Sequence, residues 1–262
     1  MAQKSEKQTQ KELRQPDVFQ QFGSEASDWL IKRQSLIGTV VVLLLLGGLV
    51  AGLVNWYSNR GEEQAARQLG EAMKVVERPV AGAQVPPGQD EPPFPSQQEK
   101  DQAVVKALSG FRQEHAGTRA AVTAALPLGK AEYRLGNYDA ALAAFGEFVE
   151  KAPKQEPLRA SALEGQGYAY EAKGQLDQAL AAFEQMAKVE SGEYLQGMGQ
   201  YHRARILVQM DRKDEAAQVL SELKASQPDT AAGRLATERL AVLTAQGVKV
   251  PEPQSATAED AG

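Results

Sequence analysis

Cysteine is absent from the chain, and only two histidines are present, His115 and His202. Without cysteine there is no disulfide, no thiolate zinc or iron–sulfur site and no cysteine nucleophile. A histidine metal site would require both histidines to meet, and they stand far apart in the sequence. We therefore expect neither a metal site nor a cofactor.

Basic and aromatic residues are also few. The chain has 29 Lys and Arg against 34 Asp and Glu among its 262 residues, so its net charge of −5 gives no basic footprint for nucleic acid. Aromatic residues make up 6%, too few for base-stacking platforms or for the core of a β-sandwich. The abundance of Ala, Leu, Glu and Gln instead favours helices, so the composition predicts an all-α protein.

Motifs of the common enzyme classes are missing as well. The sequence contains no G-x-x-x-x-G-K-[ST], no H-E-x-x-H and no G-x-S-x-G. Its many carboxylates fall beside Lys and Arg on predicted helix faces, which is typical of a solvated surface. We expect no enzymatic activity and assign no catalytic residue.

One long segment is uncharged, in contrast to the rest of the chain. Residues 34–59 follow Lys32 and Arg33, and their apolar part runs from Leu36 to Tyr57. As a helix this part would rise about 33 Å, enough to cross a hydrocarbon core of ~30 Å. The segment predicts a single transmembrane helix over residues 34–59.

Two alternatives to a membrane anchor fit less well. A buried core helix would need neighbours on every face, and a cleaved signal peptide has a shorter apolar region close to the N-terminus. Here the mostly polar tail of residues 1–33 comes first and carries six basic residues. The predicted topology is an uncleaved single-pass anchor with the N-terminus in the cytoplasm and the bulk of the chain on the other side.

Two smaller features accompany the anchor. After Asp17, an apolar stripe that includes Phe19 and Phe22 predicts a short amphipathic helix within the cytoplasmic tail. Gly48 and Gly52 form a G-x-x-x-G in the span, which lets two helix backbones approach closely. Because glycine is common in membrane helices, a homodimer through this pair stays open.

Three internal repeats determine the predicted fold. Residues 128–153, 166–191 and 203–228 share a small residue at the second position, an alanine twelve residues later and a large apolar residue four further on. These positions are Gly129, Gly167 and Ala204, then Ala141, Ala179 and Ala216, then Phe145, Phe183 and Leu220. They match a tetratricopeptide repeat, in which small residues let helices A and B pack closely.

The residue types between helices A and B also indicate a turn. Gly136 and Gly174 stand at the turn in the first two copies, and Asp211 takes that place in the third. Pro127 falls inside the first helix A, where a kink or a one-residue bulge is expected.

Flanking segments complete the predicted array. Residues 61–78 and 99–114 read as one additional helix pair. The proline-rich linker over residues 79–97 between them is predicted to be a loop or an extended segment. Residues 230–245 read as a closing helix, because a solenoid needs terminal caps. The predicted fold is all-α, with a single transmembrane helix followed by a tetratricopeptide-repeat α-solenoid over residues 60–247 and a disordered tail over residues 248–262.

The first helices of the repeats predict a binding groove. In a superhelix of such units, one set of helix A side chains faces the concave side and combines tyrosines, a methionine and basic residues. Such a mixture suits a peptide or a partner helix better than a small molecule, with Tyr133 the member expected to pack on a neighbouring helix. The predicted groove residues are Leu126, Lys130, Tyr133, Arg134, Glu164, Tyr168, Glu171, Met198, Tyr201, Arg205 and Gln209.

The overall layout resembles a known family. The chain is similar to the ancillary SecYEG translocon subunit family in its order of parts: a short tail, one anchor, a connecting helix and a repeat domain. The resemblance also includes an F-x-x-E-x-x-x-T at Phe111, Glu114 and Thr118 and the stretch 204–220. That family shares its repeat domain with proteins described as cell-division coordinators. The resemblance implies a bacterial inner-membrane protein whose periplasmic domain links translocon subunits to a periplasmic chaperone or an unfolded client, with no catalytic residues.

Two other binding functions are compatible with tetratricopeptide repeats. A cell-envelope scaffold for division or wall synthesis needs only the same protein-binding groove and stays open. A cytosolic chaperone adaptor would clamp a terminal carboxylate with asparagine and basic residues, but the inward positions are Lys130, Tyr168 and Arg205, with Met198 where a lysine is expected.

Overall fold

A computed structural model describes residues 33–84, 91–154, 156–189 and 193–251. Contacts within the chain separate two units, residues 1–60 and 61–262, and each is described by itself. The amphipathic helix predicted in the cytoplasmic tail lies outside the described residues, as do residues 252–262 of the predicted disordered tail.

The first described helix, α1 (Gln34–Glu77), includes the predicted anchor. It is long and apolar enough to cross a membrane by length and composition, with a mean hydropathy of 2.7 in its most apolar part. Its apolar side chains are exposed, from 46% at Val40 to 70% at Leu44. The predicted helix over residues 61–78 is the C-terminal part of α1 and not a separate element.

The remaining helices in the described part of the chain form an array in which each helix packs against the next. The predicted fold, an all-helical tetratricopeptide-type solenoid, is confirmed. The bounds are α2 (Gln97–Glu114), then α3 (Arg119–Arg134) with α4 (Tyr138–Lys151), α5 (Arg159–Ala172) with α6 (Leu176–Ala187), α7 (Glu193–Gln209) with α8 (Lys213–Ser226), and finally α9 (Ala231–Ala245). The helix pairs α3–α4, α5–α6 and α7–α8 are the three predicted repeats.

The turns inside the three repeats have the same backbone conformation. Gly136 and Gly174 have φ of 82° and 71°, and Asp211 has φ of 59° at the equivalent position. Glycine enters this left-handed region without the steric cost of a Cβ, and aspartate is among the few other residues that tolerate it. The register predicted from Asp211 is therefore correct.

Small residues at the helix contacts set the spacing of the repeats. Ala141, Ala179 and Ala216 are fully buried between the helices of their repeats. A Cβ at Gly167 would lie 2.5 Å from Phe183 Cζ, so this glycine makes room for the aromatic ring. Phe145 contacts two such glycines, since added Cβ atoms at Gly129 and Gly165 would lie 2.7 and 2.5 Å from its ring atoms.

The two ends of the array are closed as predicted. At the N-terminal end, Ala65 of α1 is fully buried against a cluster that includes Leu108 of α2 and Ala124 of α3. At the C-terminal end, Leu240 and Leu243 of α9 are buried in the last cluster. Each cap covers an apolar face that a terminal repeat would otherwise expose.

The two described ends of the proline-rich segment, residues 79–84 and 91–96, contact each other, so the segment is a loop, one of the two predicted forms. Phe94 N–H donates to the Pro79 carbonyl at 2.9 Å, and Ala81 N–H donates to the Phe94 carbonyl at 2.8 Å. The Arg78 guanidinium lies 4.1 Å from the centre of the Phe94 ring and pairs with Glu91 at 2.5 Å. The ends of the loop are therefore held together.

The last described residues pack on the repeats. Val248 contacts the last core cluster, and the buried Ser221 hydroxyl of α8 donates to the Pro251 carbonyl at 2.8 Å. Residues 248–251, predicted as the beginning of a disordered tail, are therefore part of the packed domain.

Candidate functional site

The predicted groove residues lie on the first helices of the three repeats, α3, α5 and α7. Helix α3 contacts α5, and α7 contacts the closing helix α9. Helices α5 and α7 are joined by side-chain pairs, so the three helices form a continuous row. We call the exposed and half-buried part of this row the A-helix face, with members Lys130, Tyr133, Arg134, Glu164, Tyr168, Glu171, Met198, Tyr201, Arg205 and Gln209.

Leu126 does not belong to this face. Its side chain is 5% exposed and packs in the core with Phe145 and Phe148 of α4. The repeat pattern places it on the inward side of helix α3, but the bulky α4 aromatics reach far enough between the helices to cover it. The prediction of Leu126 as a groove residue is therefore wrong.

An ion pair between α5 and α7 lies near the middle of the A-helix face. Arg205 binds both oxygens of Glu171, one of them at 2.7 Å, and Gln209 Nε2 donates to Glu171 Oε1 at 2.6 Å. Burial raises the pKa of Glu171, but the hydrogen bonds from Arg205 and Gln209 lower that pKa more, so it lies below its ordinary value. Both groups are charged at neutral pH and hold each other in fixed positions.

A second link between α5 and α7 uses a histidine that the sequence analysis did not place in the site. The Tyr168 hydroxyl lies 3.1 Å from His202 Nε2, and the two rings meet edge to face at 5.2 Å. His202 is 5% exposed and lies 3.6 Å from Glu164. Burial raises the pKa of Tyr168 to about 12, so its hydroxyl is neutral at physiological pH.

Three other apolar members of the face are half-buried. Met198 packs against two core clusters, and the Tyr201 ring lies 5.6 Å from the His202 ring. The Tyr133 ring lies 5.7 Å from the Tyr138 ring of α4, as expected for a residue that packs on a neighbouring helix. These side chains pack on neighbouring residues of the domain, and part of each side chain stays exposed to solvent.

The N-terminal end of the face contains a buried carboxylate that was not predicted. Asp101 of α2 is 1% exposed and accepts hydrogen bonds from Arg134 Nε at 2.9 Å and Nη2 at 2.6 Å. Gln97 Nε2 donates to the same carboxylate at 3.0 Å. A buried carboxylate is stable only when it is paired and hydrogen-bonded, as Asp101 is here. The same hydrogen bonds hold the guanidinium of Arg134 in place. Lys130, one turn earlier on α3, is exposed.

The arrangement has the chemistry of a recognition surface. No group of three His, Asp or Glu side chains that could hold a metal ion occurs within the described ranges. The face offers aromatic and thioether surface together with fixed charges, which suits binding of a peptide or a helix.

The residues that carry the family resemblance have structural roles at the α2–α3 junction. Phe111 is buried and its ring lies 4.8 Å from the His115 ring. Thr118 begins α3 as its N-cap and accepts a hydrogen bond from Ala121 N–H at 3.2 Å. Glu114 is exposed near His115.

Comparison with known proteins identifies the repeats. Residues 126–194 and 172–231 match the model of the tetratricopeptide repeat family. Two crystal structures of the nearly identical TPR-like repeats of a putative kinesin light chain from Podosopora anserina are similar to this chain, one of them a variant with a single substitution. Their identities are 19% and 20% and their TM-scores 0.51 and 0.50, and each match covers 71% of this chain and 88% of the other. No curated protein matches the chain.

These matches define the class of the domain. At this level of identity the two structures establish the fold, which is that of a tetratricopeptide-type solenoid. Residues 126–231 are similar in sequence to the tetratricopeptide repeat model. Solenoids of this kind build extended concave surfaces on which other proteins can bind.

Proposed function

We propose that this protein is a non-catalytic, membrane-anchored scaffold that acts as an ancillary subunit of the Sec translocon. In this proposal the N-terminal part of α1, residues 34–59, crosses the bacterial inner membrane, and the repeat domain lies in the periplasm. The A-helix face binds a periplasmic chaperone or an unfolded client, while the anchor keeps the scaffold beside translocon subunits.

The observation that carries the proposal is the construction of the A-helix face. Large side chains such as Tyr201 and Met198 lie half-buried on rigid helices, and ion pairs such as Glu171–Arg205 hold the charged members in place. Preorganised side chains lose little conformational entropy when a partner binds. Tyrosine and arginine are also the residues that most often dominate binding energy at protein interfaces.

Membrane attachment is supported by the exposed apolar surface of α1. Side chains such as Leu43, Leu44 and Leu45 are 62–70% exposed. A continuous apolar helix of this length is costly in water and stable in a bilayer. The basic N-terminal tail favours a cytoplasmic N-terminus, which would place residues after Arg60 in the periplasm.

The proposal can be tested by purifying the full-length chain from crosslinked membranes of its own host. We expect channel subunits of the translocon to be recovered together with a periplasmic chaperone. A matched control keeps residues 1–60, which contain the predicted anchor, and replaces residues 61–262 by an unrelated soluble domain. This control should not recover the chaperone. Recovery of division or wall-synthesis proteins without channel subunits would replace this proposal with a cell-envelope scaffold.

A further inference from the structure

A cleft lies at the N-terminal end of the A-helix face. It has a volume of about 390 Å³ and is formed by the end of α1, by α2 and by α3. We call it the terminal cleft. Its lining residues are Val76, Gln97, Lys100, Val104, Pro127, Lys130 and Arg134.

The lining of the terminal cleft is cationic. Arg134 is neutralised by the buried Asp101 carboxylate beneath it. Within the described ranges, no carboxylate lies at ion-pair distance from Lys100 or Lys130, so the cleft keeps two ammonium groups without a direct ion-pair partner. Burial lowers the pKa of Lys100, and the nearby positive charge of Arg134 lowers that pKa further, while the Asp101 carboxylate partly opposes both effects.

The floor of the cleft is apolar and rigid. Val104 is 1% exposed, and Val76 and Pro127 are half-buried beside it. A ligand for this surface must place apolar atoms on the floor and negative charge against the lysines. These two requirements together describe a short amphipathic and acidic segment of a protein.

We propose that the terminal cleft binds an acidic segment of the partner protein, with Glu or Asp side chains against Lys100 and Lys130 and an apolar side chain against Val76 and Pro127. This inference rests on the proposed function and adds the chemical class of the partner segment. The cleft continues the A-helix face, because Lys130 and Arg134 belong to both.

The positions of the cations favour carboxylates along a segment over a single terminal carboxylate. Lys100 stands on α2 and Lys130 on α3, so the two ammonium groups come from separate helices. Positive charges distributed in this way match successive acidic side chains.

The probe for this proposal is a short peptide of alternating Glu and Leu with both ends blocked, added to the full-length chain in detergent micelles. Binding is measured by fluorescence anisotropy. We expect the double variant Lys100→Gln with Lys130→Gln to bind on the order of tenfold more weakly, and the loss to shrink at high salt. The matched control, Lys106→Gln with Lys224→Gln, removes the same charge from exposed sites outside the cleft and should bind like the unmodified chain.

Two further peptides separate the alternatives. A blocked peptide with Gln in place of Glu should bind far more weakly than the acidic peptide. Equal binding of these two peptides, or equal binding of the acidic peptide to the cleft variant and the unmodified chain, would overturn the proposal. The second peptide is the Gln peptide with a free C-terminal carboxylate. If it binds more tightly than the blocked Gln peptide, the cleft recognises a chain terminus, and the proposal is overturned as well.

The failure of this inference can be told apart from failure of the proposed function. If the acidic peptide does not bind but crosslinked membranes still yield channel subunits and a chaperone, only the assignment of the terminal cleft is wrong. If neither result is obtained, the proposed function fails too. Thermal melting of the cleft variant checks folding, which should be unchanged because Lys130 is exposed and Lys100 half-buried.

Discussion

At the scale of single residues, contacts between glycines and aromatic rings determine how closely the helices approach. Phe183 of α6 and Phe145 of α4 are almost completely buried against glycines of helices α3 and α5. Any side chain at these glycines would occupy space that the rings already fill. The small residues are therefore a requirement of packing and not of backbone flexibility.

Replacing Gly167 by alanine should destabilise the fold by about 1–3 kcal/mol, because the new Cβ would lie 2.5 Å from Phe183 Cζ. Gly110→Ala is the matched control, since it lies in exposed helix with nothing within 4 Å of an added Cβ. It should be neutral or stabilising by up to about 1 kcal/mol. Denaturant unfolding of both variants measures the difference, and equal midpoints would contradict this account of the repeat contacts.

The buried hydroxyl of Tyr168 gives a pH-dependent signature. Because its pKa is about 12 in the folded chain against an ordinary value of 10.0, the unfolded chain loses this proton first as the pH rises. Between these two values stability should fall with increasing pH. Tyr168→Phe should remove the component of tyrosinate absorbance that titrates last and reduce that fall. If Tyr168→Phe instead removes a tyrosinate component that titrates near pH 10, Tyr168 is not buried as described.

The sequence predicted residues that obey the repeat pattern and missed those that depend on contacts between repeats. Ala141 and Phe145 follow from their spacing. Asp101 could not be predicted, because its burial depends on Arg134 in another helix. His202 forms its contacts only when α5 and α7 are side by side, and Leu126 is covered by neighbours that no local pattern specifies.

At the scale of elements, one buried alanine in each repeat fixes the register of helix A against helix B. Ala179 of α6 is fully buried, whereas Ala181 on the same helix is exposed. Ala179→Leu should therefore cost about 1–3 kcal/mol through overpacking, and Ala181→Leu should change stability by less than about 0.5 kcal/mol. Melting of the full chain in detergent tests this pair, and similar losses in both variants would mean that the register is wrong.

The closed loop after α1 depends on Arg78. This side chain bonds the Pro92 carbonyl at 2.6 Å, pairs with Glu91 and covers the Phe94 ring. In Arg78→Ala the amide hydrogens of Ala81 and Phe94 should exchange faster, because the loop ends lose the contacts that hold them together. Arg67→Ala, an exposed arginine of α1, is the control and should leave both exchange rates unchanged. Unchanged exchange in Arg78→Ala would show that the loop closes without the arginine.

Helices and turns were predictable at this scale, but the contacts that close the proline-rich segment were not. The positions of Gly136, Gly174 and Asp211 directly indicate the turns, and the structure has a positive φ at all three. The proline content of residues 79–97 predicts a break between helices, and residues 79–84 and 91–96 contain no helix. It does not indicate that Arg78 and Phe94 meet, because nothing in the local sequence specifies that contact.

At the scale of the whole molecule, the predicted topology can be tested with the protein's own lack of cysteine. Lys249 is exposed, so Lys249→Cys provides a single accessible thiol. In cells with a permeabilised outer membrane, this thiol should react with a membrane-impermeant reagent. A cysteine placed at Lys4 in the N-terminal tail is the control and should react only after the inner membrane is lysed. The reverse labelling pattern would contradict a periplasmic repeat domain.

The fold class was predictable because it depends on repeated local sequence patterns. The identity of the binding partner was not predictable, because it depends on which side chains lie together on the surface of the folded domain. Three copies of one pattern define the solenoid, and the match over residues 126–231 agrees with them. The partner depends on which exposed groups lie together, such as Lys100 of α2 and Lys130 of α3. That juxtaposition exists only in the folded domain.

The most direct test of the central claim is site-specific photocrosslinking in intact membranes. A benzophenone amino acid is placed at Gln209 on the A-helix face or at Gln218 on the exposed surface of α8. We predict that Gln209 crosslinks to a periplasmic chaperone or a secreted client, and that Gln218 gives little or no such product. Equal crosslinking at both positions, or crosslinking at Gln218 alone, would contradict the assignment of partner binding to the A-helix face.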